Sequence, residues 1–375
     1  MPISKGKNNL GEFNHVTFKQ IKQLKELHPV VYKSIPDEKF RRLLTCPDIN
    51  EDFPCFFYVA DERRIYSHLS AFPDKLSVDG KIYPWAWTGD LVTDPVYRGR
   101  GLAKRVVEET IKVLHGQDLI AAGGFATEVT IHIYKKLGFE LPGHVSRHLL
   151  LKTARPVLEY HVKSKPIRFM ANFLYRALIL FWGHFILILT KLKKNKVFLD
   201  QVNIHDDTIF NNDLPRLCYR AKYHFNDSLS KIIWKIKWGK PETSLYLLKD
   251  EATKKPLCYF VIRKKEIKEA ILGKYRNFYL MTLMDFGFFT EDAKVYKKLI
   301  NKVFSMFWKS EADVLELVSS SKMINGYVKR LGMIEVGKGV PFMFTLPPRC
   351  HIGHDCGDLN NWHLTHYTGE GFSVR

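Results

Sequence analysis

The stretch YRGRGLA at residues 97–103 places two glycines and two arginines between an apolar run and an amphipathic one. Gly99 and Gly101 lack the Cβ atom that would hold a ligand away from the backbone, and both tolerate φ angles that other residues avoid. A glycine-rich loop that leads into a helix presents free backbone N–H groups to an anion. The stretch therefore predicts a phosphate-binding loop at the start of a helix.

The composition is that of a folded protein with one unusual feature, its charge. The chain has 375 residues, of which 46% are hydrophobic and 26% charged, enough for a large core in one or two domains. The formal net charge is +19, with lysines and arginines spread along the whole length. This distribution favours a general attraction to anionic ligands or surfaces. No nucleic-acid-binding motif or aromatic-interleaved basic stripe accompanies it, so we expect no nucleic-acid partner.

The cysteines and the N-terminal sequence bear on the cellular compartment. Six cysteines, at positions 46, 55, 218, 258, 350 and 356, form no CxxC pair and no dense framework. We interpret them as reduced thiols, which predicts a cytoplasmic protein. The first twenty residues contain no apolar segment of the kind found in secretory signals.

The regions on either side of the glycine loop have distinct periodicities. Residues 53–93 predict an antiparallel meander, because aromatic and β-branched runs alternate there with short turn sequences. After the loop, Leu102, Val106, Val107, Ile111 and Leu114 fall at helical spacing and predict a helix of about four turns. A short apolar run and a second helix that ends at Gly138 follow.

Two motifs in this order carry a family resemblance. An R-x-x-G-x-A pattern, formed by Arg98, Gly101 and Ala103, lies about thirty residues before YKKLGF at 134–139. Together, behind a strand meander, these motifs resemble the GNAT acyltransferase superfamily. The alternative interpretation is a glycine-rich turn before a purely structural helix.

The resemblance implies a mixed α+β fold of tandem GNAT-like domains. Each would be a mostly antiparallel, twisted sheet with a splayed pair of parallel strands, flanked by helices. In such folds the pantetheine arm of acetyl-CoA lies between the two diverging strands, here residues 85–93 and 119–125. Backbone N–H groups of residues 99–103 and the positive end of the following helix would then hold the pyrophosphate. The cofactor-binding residues predicted in this way are Leu91, Val92, Thr93, Arg98, Gly99, Arg100, Gly101, Leu102, Ala103 and Lys104.

The same resemblance suggests catalytic groups. Tyr134 matches the position at which the family places its general acid, and a phenol with an ordinary pKa near 10 is protonated at neutral pH. A structural tyrosine on an amphipathic helix is the alternative. The oxyanion donor is expected to be a backbone N–H near Leu91 or Val92. The base is open, because Trp87 occupies the region where many relatives carry a glutamate. Nearby candidates for the base are Asp90, Glu62 and His68.

The second half of the chain repeats the first at an offset of 194 residues, which relates Gly138 to Gly332. The offset places Asp292 at the position of Arg98, Val295 at that of Gly101 and Val328 at that of Tyr134. We therefore predict a second GNAT-like domain without phosphate loop or acid, which shapes an acceptor pocket or an interface. The predicted organisation is a catalytic domain at residues 1–155, a helical apolar and basic linker at 156–197, a degenerate domain at 198–347 and a C-terminal extension at 348–375.

Residues 173–196, between the copies, form an apolar segment with a basic end. Its uncharged part, 177–190, has 14 residues, whereas a bilayer crossing takes about 20. A buried interdomain helix and a membrane-surface helix with its basic tail on anionic lipid both fit. A transmembrane span would have to bury Arg176.

The C-terminal tail gathers cysteines and histidines of the types that bind zinc, among them His363 and His366. Their spacing matches no known zinc pattern, so we expect no metal and a packed, polar extension. The segment around Asn361, Trp362 and Leu364 resembles the ends of two-domain GNAT proteins from bacterial surface-polysaccharide loci.

Taken with the charge, the resemblance implies an acetyl-CoA-dependent N-acyltransferase that acts on a primary amine. The charge favours an anionic or lipid-linked acceptor, such as an amino sugar or sugar nucleotide, and allows peripheral contact with an anionic membrane. The alternatives are a protein or peptide amine as acceptor and a non-catalytic acyl-CoA-binding scaffold.

Overall fold

The computed structural model describes residues 11–21, 45, 50–62, 64–116, 120–154, 158, 162–192, 197–202, 217–218, 220–225, 229–238, 242–268, 278–348 and 350–368. Leu119, where the second splayed strand was predicted to begin, and the basic linker end at 193–196 lie outside these residues.

The first half is a twisted sheet with helices on one face. Its elements are β1 (Glu12–Thr17), β2 (Pro54–Ala60), β3 (Ile65–Val78), β4 (Lys81–Thr93), α1 (Leu102–Gly116), β5 (Ala121–Phe125), α2 (Ile131–Lys136) and β6 (Glu140–Leu151). Strands β2 to β4 form the antiparallel meander predicted for residues 53–93, and β1 pairs antiparallel with β2. A two-residue turn joins β3 to β4, and its residues Asp79 and Gly80 both have positive φ angles, as tight hairpin turns require. The apolar stripe predicted for α1 is largely buried against the sheet, which confirms that helix.

The second half repeats this order. Its elements are α3 (Lys165–Leu192), β7 (Val197–Val202), β8 (Tyr223–Phe225), α4 (Leu229–Trp238), β9 (Thr243–Asp250), β10 (Pro256–Ile267), β11 (Phe278–Phe288), α5 (Val295–Lys309), β12 (Val314–Ser319), α6 (Lys322–Arg330), β13 (Ile334–Glu335), β14 (Val340–Thr345) and β15 (Trp362–His363). The series β11, α5, β12 and α6 corresponds to β4, α1, β5 and α2, and α1 and α5 have 15 residues each. Parallel pairs β4–β5 and β11–β12 lie within mostly antiparallel sheets. The predicted mixed α+β fold class is therefore confirmed.

The two copies exchange strands near their ends. Strand β14, from the second half, lies between β5 and β6 of the first half. The later part of β6 in turn pairs with β12 of the second half. The described strands consequently join in one fifteen-stranded sheet. Each half thus contributes a strand that pairs with strands of the other half. The domain boundaries at 155 and 198 stay a prediction.

The long helix α3 does not follow the interpretation of a buried interdomain helix. Phe169, Leu178 and Phe181 are 77%, 72% and 75% exposed. That interpretation, made for residues 173–196, is wrong for Leu178 and Phe181, because no part of the described structure covers their side chains. None of the described helices combines the length and the apolar character that a membrane crossing requires.

Candidate active site

The central feature of the first half is the point where β4 and β5 part. The two strands pair only from Trp85 opposite Ala121 to Trp87 opposite Gly123. On its other edge β5 pairs with β14 from Ala122 to Phe125. Beyond its pairing with β5, β4 bends at a bulge where Asp90 has a φ angle of +51°. No described strand pairs with residues 89–93 of β4 on the side of β5. That edge can therefore bond to an extended ligand.

The glycine loop lies at the open end of β4 and leads into α1. Gly99 and Gly101 both have φ angles of +78°, and an added Cβ atom would meet no atom within 4 Å at either position. Helix α1 begins at Leu102, and the Arg105 N–H donates to the Gly101 carbonyl over 3.0 Å. The N–H groups of a helix's first turn have no partner within the helix. Both predicted features, glycines with positive φ and a helix start, are present here.

Basic side chains surround this loop. Arg98 donates through Nε to the Thr93 carbonyl over 3.3 Å, which ties the loop to the end of β4. The guanidinium groups of Arg100 and Arg64 lie 5.2 and 5.3 Å from the ring centre of Tyr97. Sequence reasoning missed Arg64, which is far from the motif and brought close by the β3–β4 pairing. The arrangement makes the mouth of the gap electropositive.

Tyr134 lies on α2, buried against the ring of Phe139 at a centroid distance of 4.7 Å. Its hydroxyl is hydrogen-bonded to Thr88, which directly follows the last paired residue of β4. Burial raises the pKa of Tyr134, and the bond with Thr88 offsets part of that rise. The phenol therefore keeps its proton at neutral pH and stands beside the gap. Nothing in the sequence singles out Thr88 as its partner.

The candidate bases occupy three different settings. Asp90 is exposed in the bulge of β4, and Glu62 is exposed between β2 and β3. His68 is buried on β3, with its ring 5.1 Å from that of Phe56. The predicted oxyanion donors, Leu91 and Val92, lie at and directly after the bulge. The assignment of a base stays open.

Trp87 is held by a buried ion pair that the sequence did not predict. Its indole Nε1 donates to Asp74 over 2.8 Å, and the other oxygen of Asp74 pairs with Lys231 on α4. The Asp74 and Lys231 side chains are 3% and 6% exposed. A helix of the second half thus fixes a side chain at the end of the β4–β5 pairing.

The corresponding gap in the second half contains a segment of the same chain. Strands β11 and β12 pair only up to Leu283 and Leu317. Residues 362–368 then enter between them. On one side the Tyr367 N–H donates to the Met284 carbonyl over 3.0 Å, and on the other the Ser320 N–H donates to the Leu364 carbonyl over 3.2 Å. The tail occupies the place that an extended ligand would take between these strands.

Side chains reinforce this closure. The Thr365 hydroxyl donates to Asp285 over 2.8 Å, and the Ser320 hydroxyl accepts from the Leu364 N–H over 2.9 Å. His366 lies 3.6 Å from Glu316, which also pairs with Arg147. The tail is largely buried over residues 362–368, and the extension at 348–375 stays a prediction.

A cavity of about 250 Å³ lies at the mouth of this closed gap. It is bounded by the end of β11, the first turns of α5 and α6, and the tail. Arg220 and Lys322 give it positive charge, Asp292 a negative one, and Phe286 and Trp362 apolar walls. The ring of Trp362 lies 6.0 Å from that of Trp85 on β4. One side chain therefore contacts both the cavity and the first sheet.

Histidines and cysteines of the tail do not form a metal site where the structure describes them. No group of three or more His, Cys, Asp or Glu side chains suited to a metal occurs among the described residues. The described cysteines are free thiols, namely Cys55, Cys218, Cys258, Cys350 and Cys356.

A divergent parallel strand pair, a glycine loop and a following helix, embedded in a mostly antiparallel sheet, define the GNAT fold. The family model described as an acetyltransferase (GNAT) domain matches residues 14–141. The uncharacterized N-acetyltransferase YhbS of Escherichia coli K12 is 32% identical over 87 residues, which are 22% of this chain and 47% of that protein. The chain thus spans about half the length of the curated relatives it matches.

Solved structures extend the likeness beyond the first half. A probable N-acyltransferase from Enterococcus faecalis V583 has a TM-score of 0.55 at 12% identity. The match covers 90% of this chain and 72% of that protein's chain. A GCN5-related N-acetyltransferase from Anabaena variabilis has a TM-score of 0.54 at 13% identity, with coverages of 89% and 73%. N-myristoyltransferase from Saccharomyces cerevisiae, with bound myristoyl-CoA, has a TM-score of 0.54 at 13% identity, with coverages of 92% and 85%. These likenesses show the fold.

Proposed function

We propose that this protein is an N-acyltransferase that moves the acetyl group of acetyl-CoA to a primary amine in the gap of its first half. The observation that carries the proposal is the position of Tyr134, whose protonated hydroxyl lies on Thr88 where β4 and β5 part. The glycine loop at the mouth of the same gap supports an acyl-CoA donor, and the GNAT family match supports acyl transfer.

The proposed reaction proceeds from binding of acetyl-CoA through attack on the thioester to protonation of the leaving thiolate. The pantetheine arm bonds to the free edge of β4, and the pyrophosphate binds the N–H groups of residues 99–103 with help from Arg98 and Arg100. The acceptor nitrogen attacks the thioester carbonyl, and an N–H near Leu91 or Val92 stabilises the oxyanion. The C–S bond then breaks, and Tyr134 gives its proton to the leaving thiolate. A base, with Asp90 the first candidate, takes the proton that the amine nitrogen loses.

The acceptor that we propose is an amino sugar or sugar nucleotide. The net charge of +19 supports an anionic or lipid-linked acceptor. The likeness of the tail to proteins from polysaccharide loci favours the same class. Free thiols support a location in the cytoplasm.

Labelled acetyl-CoA, incubated with the full chain and panels of amino-sugar nucleotides, small amines and peptides, tests this function. We expect label in amino-sugar products, with turnover lost in Tyr134→Phe and retained in Tyr327→Phe. Transfer of label to peptides alone would show that the acceptor is a protein or peptide amine. Binding of acetyl-CoA with no transfer to any acceptor would favour a scaffold. A parallel series with longer acyl-CoA donors is included because the structural neighbour N-myristoyltransferase binds myristoyl-CoA.

A further inference from the structure

The helix α3 shows an inverted distribution of polar and apolar residues. Of eighteen exposed large apolar side chains in the described residues, eleven lie on this single helix. A soluble surface helix normally turns its apolar side toward the core. The exposed apolar side, named here the α3 apolar face, consists of Ile167, Phe169, Met170, Phe173, Leu174, Leu178, Leu180, Phe181, Phe185 and Ile188. Trp182 lies at its edge, where its indole N–H donates to the Leu331 carbonyl over 3.3 Å.

The opposite side of α3 is fixed to the protein by specific contacts. The Asn172 side chain bonds to the Thr153 hydroxyl over 2.8 Å, and the Tyr175 hydroxyl donates to the Leu151 carbonyl over 3.0 Å. One turn later Ile179 packs on the core of the second half. Gly183 then lies so close to Trp308 that an added Cβ atom would be 2.7 Å from its ring. These contacts fall on one stripe, so the helix cannot rotate to bury its apolar face.

Charge indicates what covers this face. Between Glu159 and Asp200 the sequence contains no acidic residue and eight basic ones. Most of them flank the apolar stretch at its two ends. They are Lys163, Lys165, Arg168, Arg176, Lys191, Lys193, Lys194 and Lys196. An apolar helix face with basic residues at both ends is complementary to a bilayer surface with anionic headgroups.

Two other arrangements fit less well. A crossing of the bilayer would break the contacts of Asn172 and Tyr175 with the sheet, and none of the described helices qualifies as a membrane span. Pairing of α3 with α3 of a second copy would bring two strongly basic segments together without acidic partners. Attraction to anionic lipid has no such cost.

We propose that α3 is an in-plane membrane anchor, whose apolar face enters the interface of an anionic bilayer while its basic ends contact the headgroups. The helix has 28 residues and is about 42 Å long, and it lies along the surface because its opposite side is bonded to the protein through Asn172 and Tyr175. The anchor is separate from the acyl-transfer site, and its binding to lipid does not depend on the proposed reaction. It would hold the rest of the protein next to lipid-linked molecules.

Flotation of the full chain with vesicles tests this proposal. One set of vesicles contains phosphatidylcholine with phosphatidylglycerol, and the other contains phosphatidylcholine alone. We expect binding to the anionic vesicles, weaker binding at high salt, and at least a tenfold loss in the double variant Phe169→Glu/Phe181→Glu. Val129→Glu is the matched control, because Val129 is an apolar residue elsewhere that is also 77% exposed.

Circular dichroism and thermal unfolding establish that each variant is folded. Equal vesicle binding by wild type and double variant, or no binding of the folded wild type, would overturn the proposal. A dimer in sedimentation that the double variant abolishes, together with absent vesicle binding, would assign the face to a second copy instead. Acyl transfer to a soluble amine is measured in the same preparations, so failure of the anchor and failure of the reaction are distinguishable.

Discussion

The two copies of the fold differ most in the gap between their diverging parallel strands. In the first copy the gap opens beside two glycines with positive φ and the free start of α1. In the second copy, residues 362–368 lie between β11 and β12 and bond to both. The same backbone opening thus serves as a candidate ligand site in one copy and as part of the core in the other. The difference depends on the glycine loop in the first copy and on residues 362–368, which occupy the gap in the second copy.

The largest effect is expected from closing the first gap with a charge. Gly101→Glu adds a carboxylate where the pyrophosphate is proposed to bind and forces a side chain into a φ of +78°. We expect at least about a hundredfold loss of CoA affinity by calorimetry, equivalent to about 3 kcal/mol. Gly80→Glu is the matched control, with a φ of +79° and similarly open surroundings at the far end of β4. Equal CoA affinity in both folded variants would remove the loop from the site.

The next effect concerns Tyr134, the proposed general acid of the first copy. Tyr134→Phe keeps the ring against Phe139 and removes the hydroxyl, so turnover should fall by about 10² to 10⁴ while CoA affinity is unchanged. Tyr327→Phe removes a hydroxyl from the corresponding helix of the second copy, where it donates to Asn301 over 2.7 Å, and should leave turnover intact.

The pH dependence of turnover sharpens the same point. Because burial raises the pKa of Tyr134, its acid form persists from neutral pH beyond the ordinary phenol range near 10. Turnover should therefore show no loss from deprotonation of this group between pH 7 and 10. A decline in that range that disappears in Tyr134→Phe would show that the phenol ionises early.

The filled gap contains a titratable group whose effect is on stability. Burial lowers the pKa of His366 to about 4, from 6.5 in an exposed histidine, although Glu316 opposes the shift. The unfolded chain therefore binds a proton that the folded one does not between these values, and stability falls as the pH drops from about 6.5 to 4. The loss from this group is at most about 3 kcal/mol.

Denaturant unfolding at several pH values measures this loss. In His366→Gln the free energy of unfolding should depend less on pH in that window, whereas His144→Gln, at an exposed position, should behave as the wild type. An unchanged slope in His366→Gln would show that other groups cause the dependence.

The smallest effect is expected from weakening the hydrogen bonds that hold residues 362–368 in the second gap. Ser320→Ala removes a buried hydroxyl that accepts from the Leu364 N–H and donates to the Trp362 carbonyl, and should lower the free energy of unfolding by about 1–3 kcal/mol. Ser146→Ala, which removes an exposed bond to Glu335, should cost less. The variant should not gain a second CoA site, because Lys294 directly precedes the start of α5 at Val295, whereas Gly101 directly precedes the start of α1 at Leu102. A second site would show that residues 362–368 alone exclude the cofactor.

Local sequence signals predicted several of the elements that distinguish or relate the two copies. Gly99 and Gly101 marked the loop, the spacing of Leu102, Val106 and Val107 marked α1, and the repeat related Gly138, after α2, to Gly332, after α6. Each of these signals lies within one element or one repeat, where periodicity and turn chemistry act directly.

Other features depend on pairings that no local pattern encodes. The exchange of β14 and β6 joins segments about two hundred residues apart, and the tail enters the second gap largely through loop backbone and side chains such as Thr365. Helix α3 was predicted as a helix, but the side that packs is the one with Asn172 and Tyr175. The residue types in the predicted linker did not indicate which side of the helix packs.

Calorimetric titration of acetyl-CoA into the intact chain tests the central claim most directly, because it counts the gaps that accept the ligand. One molecule per chain is predicted, with binding lost in Gly101→Glu and retained in Ser320→Ala. Two molecules per chain, or one that survives in folded Gly101→Glu, would contradict the assignment of the open gap to the first copy.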